Sequence, residues 1–140
     1  MIPTREAIVE EALSWLGTPF HDHAGVKGAG CDCAHHIKNV FVAVGFIEDF
    51  EVSYKPQWFL HKREPLFLKA LEQHGARRID PAAALPGDVL MYCYGNHAAH
   101  GAIVVDGNTV VHAFRPVGTV TRGDRRELLP KLDSAWTIFP

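Results

Sequence analysis

Gly30-Cys31-Asp32-Cys33-Ala34-His35-His36, followed by the apolar run at 37–44, is the stretch that decides how this chain of 140 residues is read. Asp32 is a good N-cap, because its carboxylate can accept a backbone N–H from the first turn of a helix. Ile37, Val40, Phe41 and Val44 recur at helical spacing, and Gly45 stands where helices commonly stop. Cys33 is therefore predicted to be the first residue of a buried helix. Unpaired N–H groups and the positive end of the helix dipole stabilise a thiolate there, and the thiolate is the reactive form. A cysteine can equally be a small buried hydrophobe, so a nucleophile needs a base elsewhere in the chain.

Upstream, Thr4 can cap a first helix running to about residue 16. Ile8, Ala12, Trp15 and Leu16 form one apolar stripe, and Gly17 ends it. Pro19 keeps Thr18 out of helix, and 24–30 is a small-residue loop that delivers the backbone to Cys31. Downstream, 46–62 is aromatic but aperiodic and reads as a long packed loop. Pro65 suits the first turn of a third helix that stops at Gly75, and 80–86 is a turn region.

The second half switches to period two. Val89, Met91 and Cys93 alternate with Leu90, Tyr92 and Tyr94 as a strand, and 100–105 and 109–114 are two more around Asp106-Gly107-Asn108. A fourth strand is predicted at 117–121, a short turn or helix interrupted by Pro130 at 127–132, and a closing strand at 135–139. Helices first and antiparallel strands second make an α+β chain, one domain over 1–140.

Of nine histidines, two stand out. His100 opens a strand that is otherwise apolar, and His112 lies inside the next one, where an imidazole must find a partner. Their separation makes hairpin register a test. A three-residue loop, 106–108, pairs Val105 with Thr109, sets His112 opposite Ala102 and leaves His100 one diagonal step away on the same face. A two-residue loop would put the two rings on opposite faces. With the first register, Cys33 attacks a carbonyl, His100 takes the thiol proton and His112 orients His100. Backbone N–H groups at the helix start would hold the oxyanion.

Bulk properties exclude other classes. Hydrophobic content of 47% and charged content of 21% are ordinary for a globular domain. A net charge of −2 makes no electrostatic case for nucleic acid, and the apolar run at 40–47 is too short to insert into a membrane. Without a basic flank and apolar core at the start, the chain reads as made in the cytoplasm with no signal peptide. Three cysteines, with a strained ring the only outcome of joining Cys31 to Cys33, point to reduced thiols. A zinc site drawn from Cys31, Cys33, His35, His36, Cys93, His97 and His100 uses ligand types that zinc accepts but lacks their usual paired spacing.

Four segments together resemble the NlpC-type cysteine peptidases, papain-like bacterial cell-wall endopeptidases. They are Trp15-Leu16-Gly17-Thr18-Pro19-Phe20, then Gly30 to Cys33, then Leu85-Pro86-Gly87-Asp88-Val89, then His100-Gly101-Ala102-Ile103 with Val111-His112-Ala113. Val26-Lys27-Gly28-Ala29-Gly30-Cys31-Asp32-Cys33 and the ending Trp136-Thr137-Ile138-Phe139-Pro140 resemble the branch encoded in phage tail modules. The resemblance implies a papain-like fold and hydrolysis of an amide in peptidoglycan stem peptides, typically between γ-D-glutamate and diaminopimelate. It assigns Cys33 as nucleophile, His100 as base and His112 as the third polar residue, with no metal or cofactor. Asp32, Phe20 and His35 would face the substrate. Phe20 stands where the family usually has tyrosine, and Ala34, His35 and His36 stand where it has small or apolar residues, so His35 would narrow the cleft or change specificity. A phage-tail member would sit in the virion tail, act at the cell wall and have a tail-tip or hub protein as partner. Two other readings keep the same residues: a non-catalytic tail component that uses the fold for docking, and an acyltransferase or amidase with another leaving group.

Overall fold

Thr4 and Asp32 start the two N-terminal helices in the same way, each with a side-chain oxygen accepting a backbone N–H three residues on. The computed structural model describes residues 2–50, 66–94 and 97–140. Helix α1 is Arg5–Leu13, shorter than the stripe to residue 16 predicts. Beyond Leu13 the chain tightens, with Trp15 and Leu16 bonding three residues back, and Gly17 then turns in the left-handed region at φ +85°. Helix α2 is Cys33–Ala43 and buries Ile37, Val40 and Phe41, the spacing read from the sequence. Between them lies a small hairpin, β1 Gly25–Val26 and β2 Gly30–Cys31, where the sequence reads as loop. Backbone pairing makes it, through Gly25↔Cys31 and a bridge from Phe20 to Cys31, so no side-chain alternation announces it. Helix α3 is Leu66–Gln73. Its predicted start at Pro65, and the predicted loop from residue 51 on, lie outside the described residues.

Six strands form one antiparallel sheet among the described residues: β3 Arg77–Ile79, β4 Val89–Tyr94, β5 His97–Val104, β6 Thr109–Phe114, β7 Thr119–Asp124 and β8 Leu132–Thr137. Their spatial order is β3-β8-β4-β5-β6-β7. The chain is thus α+β, as the order of its periodicities predicts. Four strands depart from the reading. β5 begins at His97, so His100 lies inside the strand and does not open it, because the pairing with β4 continues to Tyr94. β3, Arg-Arg-Ile, has no alternation and exists because β8 offers it an edge. β7 starts at Thr119 and not 117, because Gly118 at φ +92° completes a turn closed by its N–H on the Phe114 carbonyl. β8 lies three residues earlier than predicted at its start and ends at Thr137.

Both faces of the sheet are apolar. Val89, Met91, Ile103, Val111, Ala113 and Trp136 pack toward the helices with Ile8, Ile37 and Leu71. Leu90, Tyr92, Ala102, Val104 and Val110 form a second cluster on the other face, together with Ala84, Leu128 and Leu132. The β5–β6 hairpin has the three-residue connection: Val105 N–H bonds the Thr109 carbonyl at 2.9 Å, and Ile103 pairs Val111. No helix of the described residues is long and apolar enough to cross a membrane.

Helix α1 is fastened to the head of β4. The Arg5 guanidinium donates to the Pro86 carbonyl at 2.8 Å and to Asp88 Oδ1 at 3.0 Å, while Asp88 Oδ2 accepts the Leu85 N–H at 2.9 Å. Asp88 is fully enclosed and Arg5 partly so. Replacing Asp88 with alanine strands both donors, and should destabilise the fold by about 2 kcal/mol in urea unfolding; a loss below about 0.5 kcal/mol would mean that the link is incidental.

Candidate active site

Asp32 organises the entrance to α2. Its Oδ1 accepts the His35 N–H at 2.9 Å and lies 2.8 Å from His35 Nδ1, and its Oδ2 accepts the His23 N–H at 2.9 Å. Burial works to raise its pKa, but the His35 ring and the two backbone donors outweigh it and hold the carboxyl below its ordinary range. His23 adopts φ +64° there, the one non-glycine residue in the left-handed region among the described residues. The carboxylate is occupied by the chain itself, so Asp32 shapes the site from below its surface.

Cys33 follows, partly exposed at the first position of the helix. The Gly101 N–H hydrogen-bonds its sulfur, and the N–H groups of Ala34 and Cys33 act in the same sense. Gly101 directly follows His100 in β5, so the strand that carries this imidazole also reaches the sulfur. The pairing of β5 with β6 runs through Ile103 and Val104, whereas β6 stays paired with β7 as far as Phe114. The Gly101 amide is thereby left for the sulfur.

The two histidines share one face of the sheet, as the register predicts. His100 Nε2 lies 2.7 Å from His112 Nδ1, and both rings are buried. Phe114 stacks on His112 with centroids 4.6 Å apart and an interplanar angle of 14°, and also stands 5.6 Å from the His100 ring. Tyr92 lies on the other side of His100, at 6.1 Å. For His100 Nδ1 to accept a proton, Nε2 must carry the hydrogen and donate it to His112 Nδ1, which fixes both tautomers.

The electrostatics correct one expectation. Helix-start N–H groups favour a thiolate, but burial outweighs them and pushes the Cys33 thiol up to about 11. Burial, then His112 and His36, push His100 down to about 3, and burial pushes His112 down to about 4. The resting pair is therefore neutral thiol and neutral imidazole. Cys31, fully buried two residues before the helix start, is pushed up to about 12 by burial, then by Asp32 and Cys33.

The remaining residues singled out in the sequence fall into place around this core. Phe20 is half-buried, with the Arg115 guanidinium 5.0 Å from its ring centroid, and Arg115 also holds Asp22 by two bonds of 2.6 and 2.7 Å. His35 is half-buried beside Asp32. His36 points the other way: it is fully buried, its edge meets Trp15, and its Nε2 lies 3.4 Å from the Ala12 carbonyl. Among the described residues no group of three or more His, Cys, Asp or Glu is placed to hold a metal ion. The sequence reading missed the Gly101 amide, Phe114 and Arg115. Phe114 could have been found, because alternation from His112 puts it on the same face; nothing in the sequence links Arg115 to Asp22.

The family profile described as "NlpC/P60 family" matches residues 17–128. No curated protein matches significantly. Among solved structures, the chain is similar to the NlpC/p60 domain of the peptidoglycan hydrolase SagA, with 24% identity and a TM-score of 0.69 over 96% of this chain and 98% of that one. The peptidoglycan hydrolase RipB from Mycobacterium tuberculosis gives 19% identity and a TM-score of 0.70 over 97% of this chain. NlpC1 from Trichomonas vaginalis gives 15% and 0.72 over 98% of this chain. The chain spans 65% of the RipB chain and 46% of the Trichomonas one.

Two outcomes follow from the titrations. Alkylation of Cys33 by iodoacetamide should climb about tenfold per pH unit from about pH 7 toward about pH 10; a plateau already reached below neutrality would show a thiolate–imidazolium pair instead. Burial holds His36 down at about 4 against an ordinary 6.5, so between those values the unfolded chain binds a proton that the folded one refuses. Stability should therefore fall as pH drops through that window, by a few kcal/mol at most for this group, on the order of 1.4 kcal/mol per pH unit. Urea midpoints of His36→Leu should decline less steeply than those of the wild type; parallel profiles would refute the assignment.

Proposed function

The chain belongs to the NlpC/P60 family, and from that premise we propose that it is a cysteine peptidase of peptidoglycan stem peptides, cutting the amide between γ-D-glutamate and diaminopimelate. The observation that carries this reading is the 2.7 Å bond between His100 Nε2 and His112 Nδ1, on the strand whose next amide, Gly101, bonds the Cys33 sulfur. Two buried imidazoles bonded to each other beside a helix-start thiol form the nucleophile, base and orienter of an acyl transfer. The names of SagA and RipB, both peptidoglycan hydrolases, support the substrate class.

In this reading the Cys33 sulfur attacks the carbonyl carbon while its proton passes to His100 Nδ1. Because thiol and imidazole are both neutral at rest, transfer and attack are coupled, and His112 stabilises the imidazolium through the Nε2–Nδ1 bond. Backbone N–H groups at the start of α2 receive the oxyanion. His100 then gives the proton to the leaving amine as the C–N bond breaks. Water, deprotonated by the same imidazole, hydrolyses the thioester and frees the sulfur. Phe20 and His35 contact the substrate, His35 from a position fixed by Asp32. The motif from Val26 to Cys33 and the aromatic ending support a phage-tail setting, with a tail-tip or hub protein as partner and local wall opening as the task.

Digestion of purified Gram-negative peptidoglycan, followed by mass spectrometry of released fragments, tests the proposal. The wild type should release fragments ending in D-glutamate, and Cys33→Ala should lose this activity by more than about 1,000-fold. Equal cleavage by both proteins would remove Cys33 as nucleophile. A folded wild type that cuts nothing would favour the docking role.

A further inference from the structure

Gly123 lies inside β7 and is not among the glycines with positive φ, so its backbone would accept any residue. A glycine within a strand weakens the strand, and often marks a place where another group comes very close. The neighbour here is the histidine that orients His100. A Cβ built on Gly123 would lie 2.8 Å from His112 Nε2, 3.4 Å from Cε1 and 3.6 Å from Cδ2. Register explains the approach: Thr121 is opposite His112, and Gly123 is the diagonal neighbour on the same face. Nor can the ring easily move aside. It is stacked on Phe114, bonded through Nδ1 to His100 and almost fully enclosed.

We propose that Gly123 is a positioning residue for the reaction: the absence of a side chain there, together with the stacked Phe114 ring, forms the slot that fixes His112 and through it the orientation of His100. The inference rests on the peptidase reading above and deepens it. A methyl group at this position drives Nε2 away and tilts the ring about its contact with Phe114. The bond from Nδ1 to His100 Nε2 lengthens or loses its alignment, and His100 Nδ1 is no longer aimed at the thiol. The effect reaches the chemistry, not the binding of substrate, because neither Gly123 nor His112 Nε2 needs to meet the stem peptide.

The test uses Gly123→Ala, Phe114→Leu, His112→Asn and the double variant Gly123→Ala with His112→Asn. Replacing a strand glycine by alanine normally favours the fold, so G123A should remain folded while its site is disturbed. Long-range proton–nitrogen NMR of the imidazoles should show shifted His100 and His112 ring resonances in G123A and in F114L. With soluble stem-peptide muropeptides as substrate, kcat of G123A should fall about 10- to 100-fold with KM within about twofold. The shorter asparagine relieves the contact, so His112→Asn should cost several-fold less in the G123A background than in wild type. Unchanged ring resonances with wild-type turnover, or strictly additive losses, would overturn the proposal. A wild type without hydrolysis would overturn the peptidase reading instead, and the ring resonances would still decide whether Gly123 and Phe114 hold His112.

Discussion

The bond from Val105 N–H to the Thr109 carbonyl closes a three-residue connection, and the relation between His100 and His112 depends on it. Side chains alternate along a strand, so a register shifted by one residue would send one imidazole to each face of the sheet. The connection 106–108 puts both on one face, one diagonal step apart, where a 2.7 Å contact forms. The rest of the site is arranged around that pair. Tyr92 and Phe114 flank it on neighbouring strands, β6 turns away with β7, and α2 brings its first residue to the amide that follows His100. Asp32 caps that helix through the His35 N–H, while it also holds the incoming chain at His23.

Burial and the helix start pull in opposite directions at Cys33. The helix start supplies N–H groups that favour negative sulfur, and the surrounding protein removes the water that would favour it more. The same enclosure keeps His100, His112 and His36 uncharged, so three imidazoles share one region without mutual repulsion. Charge is then created only when a carbonyl arrives. A bonded partner already stands at His100 Nε2 to spread the new positive charge, which is what preorganisation means for a site of this kind.

The sequence exposed those parts that depend on periodicity and on turn chemistry. Ile37, Val40 and Phe41 announced the buried face of α2, Asp32 announced its start, and Asp106-Gly107-Asn108 announced the hairpin on which the histidine pair depends. What it hid is made by backbone or by distant partners. The β1–β2 hairpin consists of glycine-rich chain paired through main-chain groups, and β3 is a strand only because β8 lies beside it. The state of Cys33 was hidden for a related reason. A helix N-terminus is visible in a sequence, but the degree of enclosure around it is a sum over the whole fold. Phe20 illustrates a middle case: its departure from the family's tyrosine was legible, whereas the Arg115 guanidinium over its ring comes from a turn almost a hundred positions on.

The strand order has a consequence for how the chain comes together during synthesis. β8 is the last strand in sequence but occupies an interior place, between β3 and β4. Until residues 132–137 have left the ribosome, β3 has no neighbour and β4 presents an open edge along Val89, Leu90 and Met91. Helix α1 can find its ion pair on Asp88 earlier, and the β4–β5–β6–β7 meander can form by itself from contacts of short range. Completion waits for the final segment to slide into a gap already flanked on both sides. Such an insertion is a late and non-local step, and while it is pending the exposed edge of β4 is the place where another chain could pair in its stead.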